Sequence, residues 1–189
     1  MAKTYRPLDV PADVDVKVGP GSATLKGKLG SIQVPIPPGF NLKVEEKRLT
    51  VDVSAGIERA HVGTIRSHLR NAMTGVTSGF EKVLQVRGMG YRVQKTKNGI
   101  QIQCGYSHPV DIAAPQGITF EVNQVPNPDD TKQQMFQIAV SGIDRHSVGQ
   151  VAAKIRAIKP PDPYLGKGIR YKEEFIKKKA GKRAVGAQA

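Results

Sequence analysis

The chain has few of the residues on which stability and recognition often depend: one cysteine, no tryptophan, five tyrosines and five phenylalanines among 189 residues. A single cysteine, Cys104, cannot form an internal disulfide, so stability has to come from packing, and the sequence favours a reducing compartment. Nowhere does the sequence approach the ~20 consecutive apolar residues that span a membrane, and residues 1–13 contain no apolar signal core. These absences predict a globular, cytoplasmic protein without a membrane anchor.

Residues that could carry out catalysis or bind a metal are scattered along the chain. The histidines, at positions 61, 68, 108 and 146, have no metal-ligand spacing, and one cysteine cannot build the usual zinc site. Serine-nucleophile signatures and a Walker loop are missing, and Gly88-Met89-Gly90 is a short motif that a β-bulge or a close strand approach explains. The sequence therefore predicts no catalytic residue, no metal site and no cofactor, in a protein that is not an enzyme.

The scarcity of aromatic rings also limits how the chain could bind nucleic acid. The segment RGMGYRV, residues 87–93, has the glycines of an RNA-recognition strand, but only Tyr91 stands where that strand needs a ring. A sheet that stacks single-stranded bases is therefore disfavoured. Recognition of phosphates and of the shape of folded RNA, through Lys, Arg and backbone amides, suits the composition better.

Positive charge is concentrated at the carboxyl-terminal end, where residues 154–189 carry 11 Lys and Arg against 3 acids, or +8 of the net +13. This pattern is typical of polyanion binding, because each cation set against a phosphate releases condensed counterions. Pro160-Pro161-Asp162-Pro163 has to stop a helix, and Gly166-Lys167-Gly168 lets the backbone turn sharply. A mobile cationic hairpin is therefore expected there, followed by a loose basic end from Lys177 that could also be only a solvated terminus.

An internal repeat predicts two copies of one structural unit. GIERAHVGTIRSHLR, residues 56–70, aligns with GIDRHSVGQVAAKIR, residues 142–156, and 6 of the 15 positions are identical. In each copy apolar residues recur at steps of three and four, over 62–76 and 148–158, which predicts two amphipathic helices. Ser147 and Gln150 have the spacing of a capping box at the start of the second helix.

Strand-like alternation of apolar and polar residues precedes each helix. The predicted strands cover 14–18, 32–36, 42–44 and 49–53 in the first copy, and 83–86, 91–95, 100–104, 110–113, 118–122 and 136–140 in the second. Lys97-Asn98-Gly99 is a hairpin signal, and residues 126–132 are expected to form an exposed loop. Because strands come in runs and a helix follows each run, the sheets should be antiparallel. The prediction is an α+β fold of two tandem duplicated domains, 1–80 and 81–160, each an antiparallel sheet packed by one amphipathic helix, plus an extended basic tail, 161–189.

Four stretches, in order along the chain, resemble the family of bacterial-type large ribosomal subunit protein six: GTIRSHLRNAMTGV at 63–76, GMGYR at 88–92, GYSHPV at 105–110 and PPDPYLGKGIRY at 160–171. The resemblance spans about residues 10–180. It implies a cytoplasmic, structural constituent of the large ribosomal subunit that binds 23S rRNA near the sarcin-ricin loop and the base of the factor-binding stalk, and that supports subunit assembly and translation. The implied partners are 23S rRNA and neighbouring large-subunit proteins, with translation factors nearby and no membrane.

The resemblance places the main rRNA surface on PPDPYLGKGIRY, with Arg92 and the GYSHPV turn as further candidates. With neighbouring cations, the candidate rRNA-binding residues are Arg92, Ser107, His108, Arg156, Lys159, Tyr164, Lys167, Gly168, Arg170, Tyr171, Lys172, Lys177 and Lys178. The chain departs from the family pattern at Leu165, where the family usually has Lys. It also lacks the family's basic Ser-Arg-Ile-Gly-Lys opening.

Two other classes of protein are compatible with parts of the sequence. A basic adaptor could lie on anionic membrane if residues 171–183 formed an amphipathic helix with Tyr171, Phe175 and Ile176 on one face. An enzyme acting on nucleic acid would need carboxylates clustered around metal ions, whereas the acids of this chain are scattered.

Overall fold

The computed structural model describes residues 7–45, 48–53, 60–127 and 130–179. The chain divides into two compact units, Met1–Phe80 with Gly142–Ser147, and Glu81–Ser141 with Val148–Ala189. Each unit combines antiparallel strands with a helix. This confirms the predicted α+β fold with duplicated sheet-and-helix halves, although each half contains two small sheets in place of one.

The first unit has six described strands and one helix: β1 Leu8–Asp9, β2 Asp15–Gly19, β3 Ser22–Gly27, β4 Gly30–Pro35, β5 Phe40–Glu45, β6 Arg48–Val53 and α1 Ala60–Thr77. The strands form two three-stranded sheets, in the orders β2-β3-β4 and β1-β6-β5, and neighbours run antiparallel. The apolar stripe of α1 is buried on β3, β4 and β6. Gly27 permits this packing, because a Cβ there would lie 2.7 Å from the carbonyl oxygen of Val76.

The sequence patterns did not predict β1 and β3. Ser22–Gly27, SATLKG, holds only two apolar side chains, Ala23 and Leu25, yet both are completely buried in the core. β1 contains just two residues, and it pairs with β6 at Leu8 and Asp9. Neither segment is long or apolar enough for a period of two to stand out.

The second unit contains most of the remaining elements: β7 Phe80–Arg87, β8 Arg92–Thr96, β9 Gly99–Gln103, β10 Val110–Ala113, β11 Ile118–Asn127, β12 Asp130–Gly142, α2 Arg145–Ile158 and β13 Gly168–Tyr171. Its sheets have the orders β10-β9-β8 and β11-β12-β7-β13. The helix α2 buries Val148, Val151 and Ile155, as its periodicity predicted, and also Ala152, whereas Ile158 at the end of the predicted stripe is half-buried. Within the four described ranges, neither helix is both long and apolar enough to cross a membrane.

The exposed loop predicted at residues 126–132 is wrong. β11 continues to Asn127 and β12 begins at Asp130, so only residues 128–129, which lie outside the described ranges, separate the two strands. β11 is an edge strand of its sheet, and an edge strand tolerates the missing amide proton of Pro126. The polar residues in this stretch hid the strands from a search for apolar alternation.

The cap of α2 also differs from the prediction. Asp144, not Ser147, caps the helix, because its carboxylate accepts hydrogen bonds from the amides of His146 (3.1 Å) and Ser147 (3.0 Å). The Ser147 hydroxyl donates to the same carboxylate at 2.6 Å. Burial raises the pKa of Asp144, but the hydrogen bonds from Ser147 and His146 outweigh it and hold the pKa below its ordinary value. The predicted capping box is therefore wrong, and the helix begins at Arg145.

Candidate RNA-binding surface

Part of the predicted tail is a strand of the second unit. β13 pairs antiparallel with β7, so that Gly168 lies opposite Arg87 and Tyr171 opposite Leu84. Ile169 is completely buried, and the amide of the following residue, Lys172, donates to the carbonyl of Val83 at 2.9 Å. The residues predicted to form a hairpin therefore lead directly into an edge strand whose register is set by the sheet.

A closed turn, residues 160–167, precedes this strand and is organised around Asp162. The Asp162 carbonyl accepts the amide of Gly166 at 2.9 Å, and its own amide donates to the carbonyl of Lys167 at 2.8 Å. Its carboxylate accepts the amide of Leu165 at 2.9 Å. At the tip of the turn Tyr164 and Leu165 are 56% and 67% exposed. The three hydrogen bonds close the turn, and these side chains and Lys167 are exposed to solvent.

Gly168 joins the turn to the strand at a position that no other residue fits. Its φ is +136°, which side chains rarely adopt, and a Cβ would lie 2.7 Å from both the carbonyl oxygen of Pro160 and the Cα of Pro161. The next amide, of Ile169, donates to the carbonyl of Lys159 at 2.8 Å. The start of β13 is therefore pressed against the residues that follow α2.

The GYSHPV turn, which lies between β9 and β10, meets the same region through Tyr106. The Tyr106 hydroxyl donates to the carbonyl of Ile158 at 2.8 Å, and the Lys159 ammonium lies 5.1 Å from the centre of the ring. Ser107 and His108 are exposed beside it. The structure thus brings together two segments that lie about 50 residues apart in the sequence. Tyr106 was not among the predicted site residues, although a ring in a polar loop was a signal.

The last described residues return to the turn. The amide of Lys179 donates to the carbonyl of Pro163 at 2.9 Å, so residues 177–179 lie beside the turn and do not form the loose end that the sequence suggested. Residues 172–179 are not helical. The amphipathic helix required by the membrane hypothesis is therefore absent from its described part, while residues 180–183 lie outside the described ranges.

The predicted site residues fall into groups by exposure. Exposed to solvent are Arg92, Ser107, His108, Tyr164, Lys167, Lys172, Lys177 and Lys178. Half-buried are Arg156, Lys159, Arg170 and Tyr171, whereas Gly168 is buried. Arg92 stands at the start of β8, opposite Gln103, in the other sheet of the unit.

The half-buried residues are engaged within the protein. Arg156 donates from Nε to a carboxylate oxygen of Glu174 at 2.9 Å, and its guanidinium lies 5.8 Å from the ring centre of Tyr171. Arg170 donates from Nε to the side-chain oxygen of Gln85 at 3.3 Å. Their position indicates that they hold the tail, while the exposed cations face solvent. Among the residues that the structure describes, no three His, Cys, Asp or Glu side chains are placed to bind a metal ion.

Comparison with known proteins gives consistent matches. The family model described as Ribosomal protein L6 matches residues 10–79 and 87–172, in agreement with the internal repeat. The large ribosomal subunit protein uL6 of Rubrobacter xylanophilus is 43% identical over 178 residues, which cover 93% of this chain and 95% of the relative. The uL6 proteins of Desulfatibacillum aliphaticivorans (41% over 181 residues, 94% and 95% covered) and Persephonella marina (43% over 180 residues, 94% of each) are similarly close.

Proposed function

We propose a function from the premise that this chain belongs to the ribosomal protein L6 family. It is a ribosomal protein of the large subunit, a structural constituent and not an enzyme. We propose further that its second unit binds 23S rRNA near the sarcin-ricin loop and the base of the factor-binding stalk, and thereby supports subunit assembly and translation. Neighbouring large-subunit proteins would then adjoin it, with translation factors nearby.

The observation that carries this proposal is the tail surface, defined here as four exposed cations: Lys167 on the closed turn, Lys172 directly after β13, and Lys177 and Lys178 beside the turn. Flexible lysines lose conformational freedom when they bind a phosphate, and a backbone that is already ordered reduces that cost. Hydrogen bonds around Asp162 and between Lys179 and Pro163 provide this order. The cations are therefore presented on a preorganised support.

The acids in this region do not cancel the positive charge of the tail surface. Residues 154–179 contain nine Lys and Arg against three acids. Two of the acids are half-buried and already have partners within the protein: Asp162 accepts the amide of Leu165, and Glu174 binds Arg156. The third, Glu173, is exposed. A phosphate that approaches this surface therefore meets mostly cations, and the affinity should fall with added salt as counterion release requires.

Charge reversal at the tail surface tests the proposal. The variant Lys167→Glu with Lys172→Glu changes two exposed residues, so the fold should survive, and it lowers the net charge by about four. Lys95→Glu with Lys97→Glu makes the same change on the β8–β9 hairpin and is the matched control. Filter binding would measure the affinity of each variant for a 23S rRNA fragment that contains the sarcin-ricin loop, over a range of salt, with an unrelated RNA of equal length as competitor.

We expect the tail variant to lose at least ~10-fold in affinity relative to the control and to lower the slope of log K against log salt by about 2, one per phosphate contact. In cells, the tail variant should be depleted from large subunits on a sucrose gradient. If both variants weaken binding equally, net charge alone explains the affinity and the tail surface is not the site.

A further inference from the structure

Glu174 is an acid inside the most basic part of the chain, and its side chain and backbone amide form hydrogen bonds with two neighbouring elements. Its carboxylate accepts Nε of Arg156 at 2.9 Å and also binds Nη2 of the same guanidinium. It accepts the backbone amide of Tyr171 at 3.1 Å, and its own amide donates to the Tyr171 carbonyl at 3.1 Å. One carboxylate thus connects α2 with the end of β13.

We propose that Glu174 is a positioning residue for RNA binding, and that it acts by holding β13 and the tail surface against α2. The inference rests on the proposed function, because it concerns the same surface. It predicts an effect of unexpected sign: removing this negative charge from a basic, polyanion-binding region should weaken the binding of RNA.

The geometry explains why one side chain can have this role. Tyr171 is the last residue of β13, and the ring lies under the Arg156 guanidinium while the amide is held by Glu174. A glutamine at this position has no charge and only one acceptor oxygen, so its NH2 group would face the Nη2 donor of Arg156, and the side chain could not hold Arg156 and the Tyr171 amide as the carboxylate does. The lysines on either side, Lys167 and Lys172, would then no longer have fixed positions relative to each other.

The protonation behaviour of the pair is consistent with this arrangement. The hydrogen bond from Arg156 lowers the pKa of Glu174, burial opposes it, and the amide of Tyr171 lowers the pKa further. The same hydrogen bond raises the pKa of Arg156 above its ordinary value. Glu174 is therefore ionised at neutral pH, as the contact requires.

Two effects compete when Glu174 is neutralised, and their sizes can be compared. Losing one exposed or half-exposed negative charge strengthens phosphate binding by about threefold or less at physiological salt, because solvent and ions screen it. Losing a half-buried, charge-assisted contact lowers the population of the ordered tail, and the apparent affinity falls in proportion to that population. Contacts of this kind shift an equilibrium by about tenfold, and we take the ordered and open tails to be close in free energy, so that most of this factor appears in the ordered population. The positional effect should therefore exceed the electrostatic one.

The chain contains a matched control in the adjacent residue. Glu173 is exposed, whereas Glu174 is half-buried, and the structure describes both. Glu173→Gln and Glu174→Gln change the net charge equally and differ only in position. We expect Glu173→Gln to bind the 23S rRNA fragment as tightly as the unaltered protein or up to about threefold more tightly, and Glu174→Gln to bind about five- to tenfold more weakly.

Two further readouts separate positioning from a general loss of stability. Hydrogen exchange at the amide of Tyr171 should accelerate in Glu174→Gln and not in Glu173→Gln, while exchange in α1 stays unchanged. The slope of log K against log salt should remain that of Glu173→Gln, because the ordered state makes the same phosphate contacts. The charge-swapped variant Arg156→Glu with Glu174→Arg should recover affinity relative to Arg156→Glu alone, since the pair can form again.

The outcomes distinguish this inference from the proposed function. If Glu174→Gln binds as tightly as Glu173→Gln, or if the charge swap recovers nothing, the positioning role is refuted even though the unaltered protein binds the fragment. If the unaltered protein itself shows no preference for the fragment over the competitor RNA, the proposed function fails instead.

Discussion

Substituting Gly168 by alanine should detach β13 from the second unit. At a φ of +136° the side chain is strained, and the new Cβ would lie 2.7 Å from backbone atoms of Pro160 and Pro161, which cannot move without disturbing the turn. The strain alone costs about 1–3 kcal/mol. The close contact adds to it, either directly or through loss of the hydrogen bond from Ile169 to Lys159. Together the two effects should lower the free energy of local unfolding of β13 by more than ~2 kcal/mol.

Gly166→Ala is the control, because it lies in the same turn and also has a positive φ, +71°, but its Cβ would meet only the end of the Lys178 side chain at 3.6 Å. The alanine would have a left-handed backbone conformation but no clash, so Gly166→Ala should lower the free energy of unfolding by about 1–2 kcal/mol. The difference between the two variants therefore reports the close contact with the prolines together with the difference in strain between the two φ values.

Amide hydrogen exchange at Ile169 measures the effect locally, since this amide is protected by the carbonyl of Lys159. A loss of ~2 kcal/mol corresponds to exchange about 30-fold faster in Gly168→Ala, because every 1.4 kcal/mol is a factor of ten. Amides of α1 serve as the internal reference. If Gly168→Ala exchanged no faster at Ile169 than Gly166→Ala, the backbone contact would not be holding β13.

Three further substitutions test other contacts. Tyr106→Phe should destabilise the second unit by about 1 kcal/mol in thermal unfolding, because it removes the hydrogen bond to Ile158 and keeps the ring beside Lys159, whereas Tyr164→Phe at the exposed tip should have little effect. Asp144→Ala should cost about 1 kcal/mol by removing the cap of α2, and an equal cost for Asp144→Asn would show that charge matters more than capping. The pKa of Glu174 is lowered in the folded protein, so its ionised form adds to the free energy of unfolding above the ordinary carboxyl pKa of about 4, and this stabilisation is lost as the pH falls further. Acid should therefore reduce the urea midpoint less in Glu174→Gln than in the unaltered protein.

The strands and helices with regular apolar spacing were predictable, because periodicity is a local property. The stripe of α2 and the alternation in β9 are examples, and both are buried as predicted. The alternation of apolar residues did not predict the strands at residues 126–132, which are polar, or β3, which holds only two apolar residues. These strands are stabilised by the strand or helix that packs beside them, and that neighbour cannot be identified from the sequence of the strand alone.

The composition and spacing of the chain were sufficient to predict a duplicated α+β protein with a basic carboxyl-terminal end, because repeats, charge and periodicity are properties of consecutive residues. The family was indicated by the resemblance of four short motifs, and the family model confirms it. They did not reveal that Glu174 binds Arg156, 18 residues earlier, or that Tyr106 binds Ile158, 52 residues later. The first contact exists because β13 completes a sheet beside β7 and is followed by Glu174 next to α2, and the second because the turn between β9 and β10 lies against the end of α2. Packing also determined which cations are half-buried and hold the tail, and which are exposed to solvent.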